Sequence, residues 1–448
     1  MLALLTLLAL SQIKAPQPDA GAFPYTMIEA TLDNGMRVVV IPTTSGAGGM
    51  FALYTVVGTG SRDEVEPGHS GFAHFFEHMM FKGTKKVPAD ARTGLLGSLG
   101  VDESGYTTND FTTYHLQGPS TALPQIMELE GDRYQNLHYS EEQFKTESKA
   151  VLGEYNKNFS NPDGKTDEVL SDLAFDKHPY KHTTMGFLRD IERMPNELKY
   201  AQQFFKRFYT PDNVLMIIVG DVDAAAAHAL AQQHFGPWRG KRAQVAISDE
   251  APLAKERRKS VDWANPTLAR LHVGWRVPSA ARDAQAGALA VLLKGYLFSE
   301  SSALFQSLVL SDQLAENIDA GYQPQKDAAL FPVTSRIKEG KSADEVLARV
   351  QQALDLLAQG TVDAARFDAV RSNLRYGLLM GLTSADSIAG TVAWYAGPTM
   401  DPHGIDTLLA AAQAATPADL VSFVKAHFGK DQRAIVTLAY APAKGGAQ

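Results

Sequence analysis

The stretch Gly71-Phe72-Ala73-His74-Phe75-Phe76-Glu77-His78-Met79-Met80-Phe81-Lys82-Gly83-Thr84 places two imidazoles and a carboxylate on one turn of a predicted helix. His74 and His78, spaced i and i+4, share a helical face and can hold one metal ion together. Glu77 stands beside them, close enough to take a proton from a water made acidic by that metal. The order H-x-x-E-H reverses the commoner H-E-x-x-H metal helix. With 12 histidines in 448 residues a chance pentapeptide on an amphipathic helix is the bland alternative, and the flanking sequence argues against it.

Two histidines leave a tetrahedral site short of a protein ligand. The segment Ser140 to Glu154 reads as a helix with a serine cap and acids in its first turn. Glu147 and Glu154 lie seven apart, hence on one face of it.

Taken with Glu154, the Gly71–Thr84 stretch resembles the pitrilysin (M16) metallopeptidases, an inverzincin family. The nearest group is the half-length M16B class that includes mitochondrial processing peptidase and its bacterial relatives. The resemblance implies that His74, His78 and Glu154 hold one zinc per chain. It implies Glu77 as general base and Glu147 as the outer acidic residue of the catalytic set. Further landmarks are similar in order and spacing: Leu32–Val38, Gly58–Glu64, His178-Pro179-Tyr180 with Gly186, and Phe208–Asn213. The apolar run Val214–Val219, closed by Gly220-Asp221, completes them.

The length predicts two to four domains, and 45% hydrophobic with 21% charged residues fits a soluble globular protein. No apolar run reaches the length of a membrane span. A net charge of -8 argues against a nucleic-acid partner. Zero cysteines exclude disulfides, thiolate catalysis and cysteine metal sites, leaving histidine and carboxylate as ligands. The apolar run Leu2–Leu10 followed by Ala9-Leu10-Ser11 has the h-region and cleavage site of a secretory signal but lacks a basic n-region. It points to a periplasmic location, with a cytoplasmic one as the alternative.

Two halves share a layout. Helix-then-strand patterns recur at Glu197–Phe205 with Val214–Val219, and at Ala418–Phe428 with Ala434–Leu438. Glu141–Glu154 has a counterpart in Ala364–Gly377 that matches Phe144 with Phe367 and puts Gly377 opposite Glu154. The helix expected over Ala284–Phe298 takes the place of the metal helix but has no histidine. Strands expected at Arg37–Ile41, Phe51–Val57, Val214–Val219, Leu268–Val277 and Ala434–Leu438 alternate with long helices. That favours an α+β fold: two homologous halves, each a mostly antiparallel sheet covered by helices. The family resemblance implies that together they form one half of a clamshell, the metallohydrolase fold of processing peptidase. The expected boundaries are 1–22 for a signal peptide and tail, 23–240 for the zinc-bearing half, 241–260 for a charged, Pro-containing linker, and 261–448 for the second half.

Weaker features read as scaffold. His178 and His182 are also i, i+4, but Pro179 opposes a helix, so they are loop residues. Gly46–Gly49 is a loop too short for a phosphate cradle. Glu256–Lys259 is a solvated linker face, and Met79-Met80-Phe81 is core beneath the metal helix. In the family an edge strand near the metal reads Asn-Ala-aromatic-Thr, and this chain has Ser104-Gly105-Tyr106-Thr107. A peptide substrate could add to that edge through main-chain hydrogen bonds; an ordinary hairpin is the alternative.

These residues suggest a zinc-dependent endopeptidase acting on short or unfolded peptides. A non-catalytic scaffold subunit or a metal-buffering module would have no use for Glu77. In self-sufficient relatives an Arg and a Tyr of the second half stabilise the oxyanion. Val309 and Glu316 stand at those positions, with Arg336 or Tyr322 as conceivable substitutes. The expected partner is therefore a homologous subunit that carries the Arg/Tyr pair, in a heterodimer.

Overall fold

Runs such as Val38–Ile41 and Leu215–Val219 are apolar at every position, the pattern of strands covered on both faces. The structure, a computed structural model, describes residues 23–44, 46 and 48–442. The expected signal peptide falls outside these residues. The first sheet contains β1 (Ile28–Thr31), β2 (Arg37–Pro42), β3 (Met50–Val57), β4 (Asp102–Thr107), β5 (Thr112–Pro119) and β6 (Val214–Gly220). Its strand order is β1-β2-β6-β3-β5-β4. The second contains β7 (Arg257–Trp263), β8 (Arg270–Val277), β9 (Ala315–Ala320), β10 (Ala329–Ile337) and β11 (Arg433–Tyr440), in the order β7-β11-β8-β10-β9. Without β1, the first order maps onto the second strand for strand. Each sheet has one parallel pair, β2 with β6 and β7 with β11, and is otherwise antiparallel.

On one face the first sheet packs against helices of its own half, including Phe72–Met79 and Leu123–Asn136. Its other face is covered by a helix of the second half: Ile388, Ala389, Val392 and Ala393 of Ala385–Ala396 lie on Ala52, Tyr54, Val56, Ile217 and Val219. The exchange is reciprocal. Val169, Leu170 and Ala174 of helix Pro162–Ala174 in the first half pack on Ala434 and Val436 of β11. Each half thus supplies one layer of the other, which is why the central strands lack a polar face.

The helix Ala284–Phe298 has the expected bounds, opened by the Asp283 side chain accepting from Ala286 N. By length and composition the helical stretch Ala284–Ser311 could pass for a membrane span. Its Ala288, Ala290, Leu292 and Leu293 are instead fully buried in the second core, and a helix apolar all round is a core helix. The linker expected over 241–260 is shorter than its charge suggested. β7 starts at Arg257 and pairs in parallel with β11, so Arg257, Arg258 and Lys259 belong to an edge strand. Charged side chains on an edge discourage pairing with other chains. Arg258 is tied to Asp344 at 2.5 Å.

Candidate metal centre

The helix Phe72–Met79 is short and receives no cap from its own N-cap residue, Gly71, which sits at φ 92°. A Cβ there would come within 2.7 Å of the Met185 carbonyl oxygen, so glycine is required for both reasons. The cap comes from Glu64 instead. Its carboxylate accepts from Gly71 N and Ala73 N, both at 2.7 Å, which satisfies donors that every helix N-terminus leaves open. Burial raises the Glu64 pKa well above the usual carboxylate range, against the pull of those two bonds. Phe72, Phe75, Phe76 and Met79 anchor the helix in the core, and His74, Glu77 and His78 are carried on the side facing helix Glu141–Phe159 and β4.

That longer helix begins with the capping box of Ser140 and Gln143. Phe144, Ser148, Val151 and Tyr155 are its buried stripe, and Phe144 meets Phe75 edge-on at 5.1 Å. Glu147 and Glu154, off that stripe, are brought against the metal helix. His78 Nε2 is 3.3 Å from His74 Nε2 and 3.3 Å from Glu154 Oε2, and His74 Nε2 is 3.7 Å from the same oxygen. Ligand atoms of the three residues lie within 4.8 Å of one another, the one such cluster among the described residues. Two imidazoles and a carboxylate converging this closely fit zinc, with a fourth position for water.

His78 Nδ1 lies 2.9 Å from Glu147 Oε1, and Lys82 Nζ binds the other Glu147 oxygen. The hydrogen bond from His78, opposed by burial and aided by Lys82, holds the Glu147 carboxyl at about 2. Burial disfavours the charged form of His78, but Glu147, with Glu77 and Glu154 nearby, outweighs it and raises the pKa. His74 is different: burial, then the nearby His78, depresses it to about 3, and its Nδ1 is buried without a partner among the described residues. Burial also raises the Glu77 carboxyl, while Thr107 and His78 pull it down.

The four residues of the expected substrate strand lie on β4, the outermost strand of its sheet, as an added peptide strand requires. They divide between its faces. Gly105 and Thr107 face Glu77: a Cβ on Gly105 would stand 3.4 Å from Glu77 Cγ, and Thr107 Oγ1 donates to Glu77 Oε2 at 2.6 Å. Ser104 is exposed. The Tyr106 side chain turns away and packs on Phe111 and Trp394, so strand alternation removes its ring from the metal side.

In the second half, Gly377 is exposed with open space around it, and no metal cluster forms there among the described residues. Val309 sits in the π-helical turn Gln306–Ser311, packed on the second core. Glu316 is exposed on β9, 3.4 Å from Arg336. Arg336 also approaches Asp163 at 3.7 Å, and the Tyr322 hydroxyl is buried without a partner among the described residues. His178 and His182 flank the 3-10 turn Pro179–Lys181, and His178 is bound to Asp327 at 3.1 Å. Sequence reasoning missed the Glu64 cap, the Lys82 contact and the Thr107 bond to Glu77. Only Glu64 carried a signal, as the last residue of the loop that leads into the metal helix.

Two profiles match in tandem: insulinase (peptidase family M16) over residues 45–187 and the peptidase M16 inactive domain over residues 198–374. The zinc protease PqqE of Helicobacter pylori is 26% identical over 369 residues, covering 82% of each chain. The crystal structure of a protease from Helicobacter pylori superposes with a TM-score of 0.85 at 25% identity, covering 92% of this chain and 99% of that one. The periplasmic protease PqqL of Escherichia coli has a TM-score of 0.73 at 20% identity, with 94% of this chain matching 48% of that one. In fold, this chain corresponds to half of that longer clamshell-type protein.

Proposed function

We propose that this chain, which matches two M16 family profiles in tandem, is a zinc-dependent endopeptidase of the M16B class cleaving short or unfolded peptides. The observation that carries this reading is the convergence of His74, His78 and Glu154 within 4.8 Å, with Glu77 on the same helical turn. His74 Nε2, His78 Nε2 and a Glu154 oxygen would hold one zinc per chain. When bound, the metal would acidify a water and polarise the scissile carbonyl. Glu77 takes the proton of that water and passes it to the leaving amine. Its buried position raises its proton affinity, which suits a general base working near neutral pH. Glu147, itself held by Lys82, orients His78 through Nδ1 and favours donation from Nε2. The free edge of β4 would receive the peptide as an added strand, with Gly105 packed closely against Glu77 and Phe81.

The second half lacks an arginine and a tyrosine at Val309 and Glu316, so a homologous subunit would supply the oxyanion donors in a heterodimer. The test of the catalytic reading is Glu77→Gln. Zinc content should remain at one per chain while hydrolysis of an unfolded peptide mixture, read by mass spectrometry, disappears. Hydrolysis at the unsubstituted rate would remove Glu77 as base.

A further inference from the structure

Thr107 was expected to touch substrate, yet its hydroxyl is already committed. Thr107 Oγ1 lies 2.6 Å from Glu77 Oε2, and a carboxylate can only accept, so the threonine is the donor. Its neighbour Thr112 does not compete for the same oxygen. The Thr112 hydroxyl donates to the Thr59 carbonyl at 3.0 Å and stands 3.5 Å from Thr107 Oγ1. Glu77 Oε1 has no hydrogen-bond partner among the described residues, whereas Oε2 accepts a short, charge-assisted bond. Gly105, two positions back on the same face of β4, closes on Glu77 Cγ and Phe81 without a side chain of its own. The end of an edge strand therefore grips one oxygen of the general base and leaves the other open.

From this geometry we infer that Thr107 is a positioning residue that fixes the Glu77 carboxylate so that Oε1 alone receives the proton of the attacking water. The inference rests on Glu77 being the base. In the step, an O–H bond of water breaks, Oε1–H forms, and the remaining hydroxide adds to the carbonyl carbon. Thr107 exchanges no proton. Without its bond the carboxylate can rotate about its last torsion, and the reactive alignment becomes one of several. The cost falls on the chemical step, since Thr107→Val removes only the hydroxyl committed to Glu77 and leaves the β4 backbone that would pair with a peptide.

The test compares Thr107→Val, which keeps the shape and loses the hydroxyl, with Thr107→Ser, which keeps the hydroxyl. For the zinc-loaded full chain, Thr107→Val should lower kcat on the order of tenfold or more with KM unchanged. Thr107→Ser should restore kcat to within about threefold. Zinc affinity and the unfolding midpoint should match the parent in both. A readout independent of activity is infrared difference spectroscopy of the metal-free protein. Thr107→Val should shift a carboxylate stretch, and the shift should vanish when Glu77→Gln is also present. An unchanged kcat, a loss confined to KM, a loss of zinc or stability, or no carboxylate shift would each overturn the role of Thr107. Activity retained by Glu77→Gln alone would instead overturn the general-base reading, so the two failures are distinguishable.

Discussion

His78 Nδ1 and Glu147 Oε1 are 2.9 Å apart, while the corresponding nitrogen of His74 is buried with no partner among the described residues. The two imidazoles of the cluster are therefore supported unequally, and His78 carries the outer hydrogen bond for both. Removing it should cost more than an average outer contact. Glu147→Ala is expected to weaken zinc binding on the order of a hundredfold, and Glu147→Gln, which keeps a neutral acceptor, on the order of tenfold. Competition with a chromophoric chelator measures both, and affinities equal to the parent would show that Glu147 does not orient the ligand.

Zinc uptake should depend on pH through one histidine only. His74 is held at about 3, so it is neutral at any pH where zinc binds and releases no proton. The His78 pKa is raised above its ordinary 6.5, so in the metal-free protein it holds a proton below that raised value. Zinc must displace this proton, and affinity must rise with pH until the raised pKa is passed. The expected slope is about one proton per zinc below that value, falling to none above it. Proton release in calorimetry with buffers of different ionisation enthalpy reads it directly. Glu147→Gln should move the window to lower pH, and a release near two would mean that His74 is also protonated.

Glu64 is expected to matter to stability more than its distance from the metal suggests. Its two oxygens serve two backbone donors at the start of a helix of 8 residues. Glu64→Ala leaves Gly71 N and Ala73 N buried without acceptors, at a cost of about 2 kcal/mol or more in urea unfolding. Glu64→Gln should recover only part of it, because its amide nitrogen faces a donor. Zinc affinity should fall along with stability, since the same helix carries His74 and His78.

Much of this was legible in the sequence, for identifiable reasons. The metal helix, the Ser140 cap and the helix Ala284–Phe298 are local features, written in spacing and in the residues that begin a helix. β7 was hidden because an edge strand rich in Arg and Lys has the composition of a linker. Which sheet an apolar helix face covers is a long-range fact, so the crossing of Pro162–Ala174 and Ala385–Ala396 had no local signature. The Thr107 contact escaped for a similar reason: strand alternation says that Gly105 and Thr107 share a face, not that Glu77 lies against it.

The reciprocal helices predict that neither half folds alone. Fragment 23–256 without the second half would expose Val39, Ala52, Val56, Ile217 and Val219, all fully or nearly fully buried in the intact chain. Each of the Val and Ile side chains loses about 1.5–3 kcal/mol of burial, against a typical domain stability of about 5–15 kcal/mol. Expressed singly, fragments 23–256 and 257–442 should be insoluble or lack a cooperative unfolding transition. Produced together, they should reassemble with one transition and one bound zinc. A cooperative, zinc-binding first fragment would show that the exchanged helix is dispensable.

Glu316 lies on the outer strand of the second sheet, the position equivalent to β4, and is engaged with Arg336 at 3.4 Å. Arg336 in turn reaches Asp163 at 3.7 Å, so this guanidinium is already shared between two carboxylates. Tyr322 does not substitute, because its hydroxyl is buried against the start of helix Ala284–Phe298, with no partner among the described residues. Val309 has no polar atom to offer. A tetrahedral oxyanion beside the zinc would therefore find no free side-chain donor at these four positions, a loss on the order of a hundredfold in rate per missing donor. The zinc-loaded chain alone should cleave unfolded peptides slowly, and adding a homologous subunit that carries Arg and Tyr at the two positions should raise kcat by at least about tenfold. The gain should disappear when that partner's arginine is replaced, with zinc on this chain unchanged. Equal rates with and without the partner would mean that this chain supplies its own oxyanion donors and needs no second subunit.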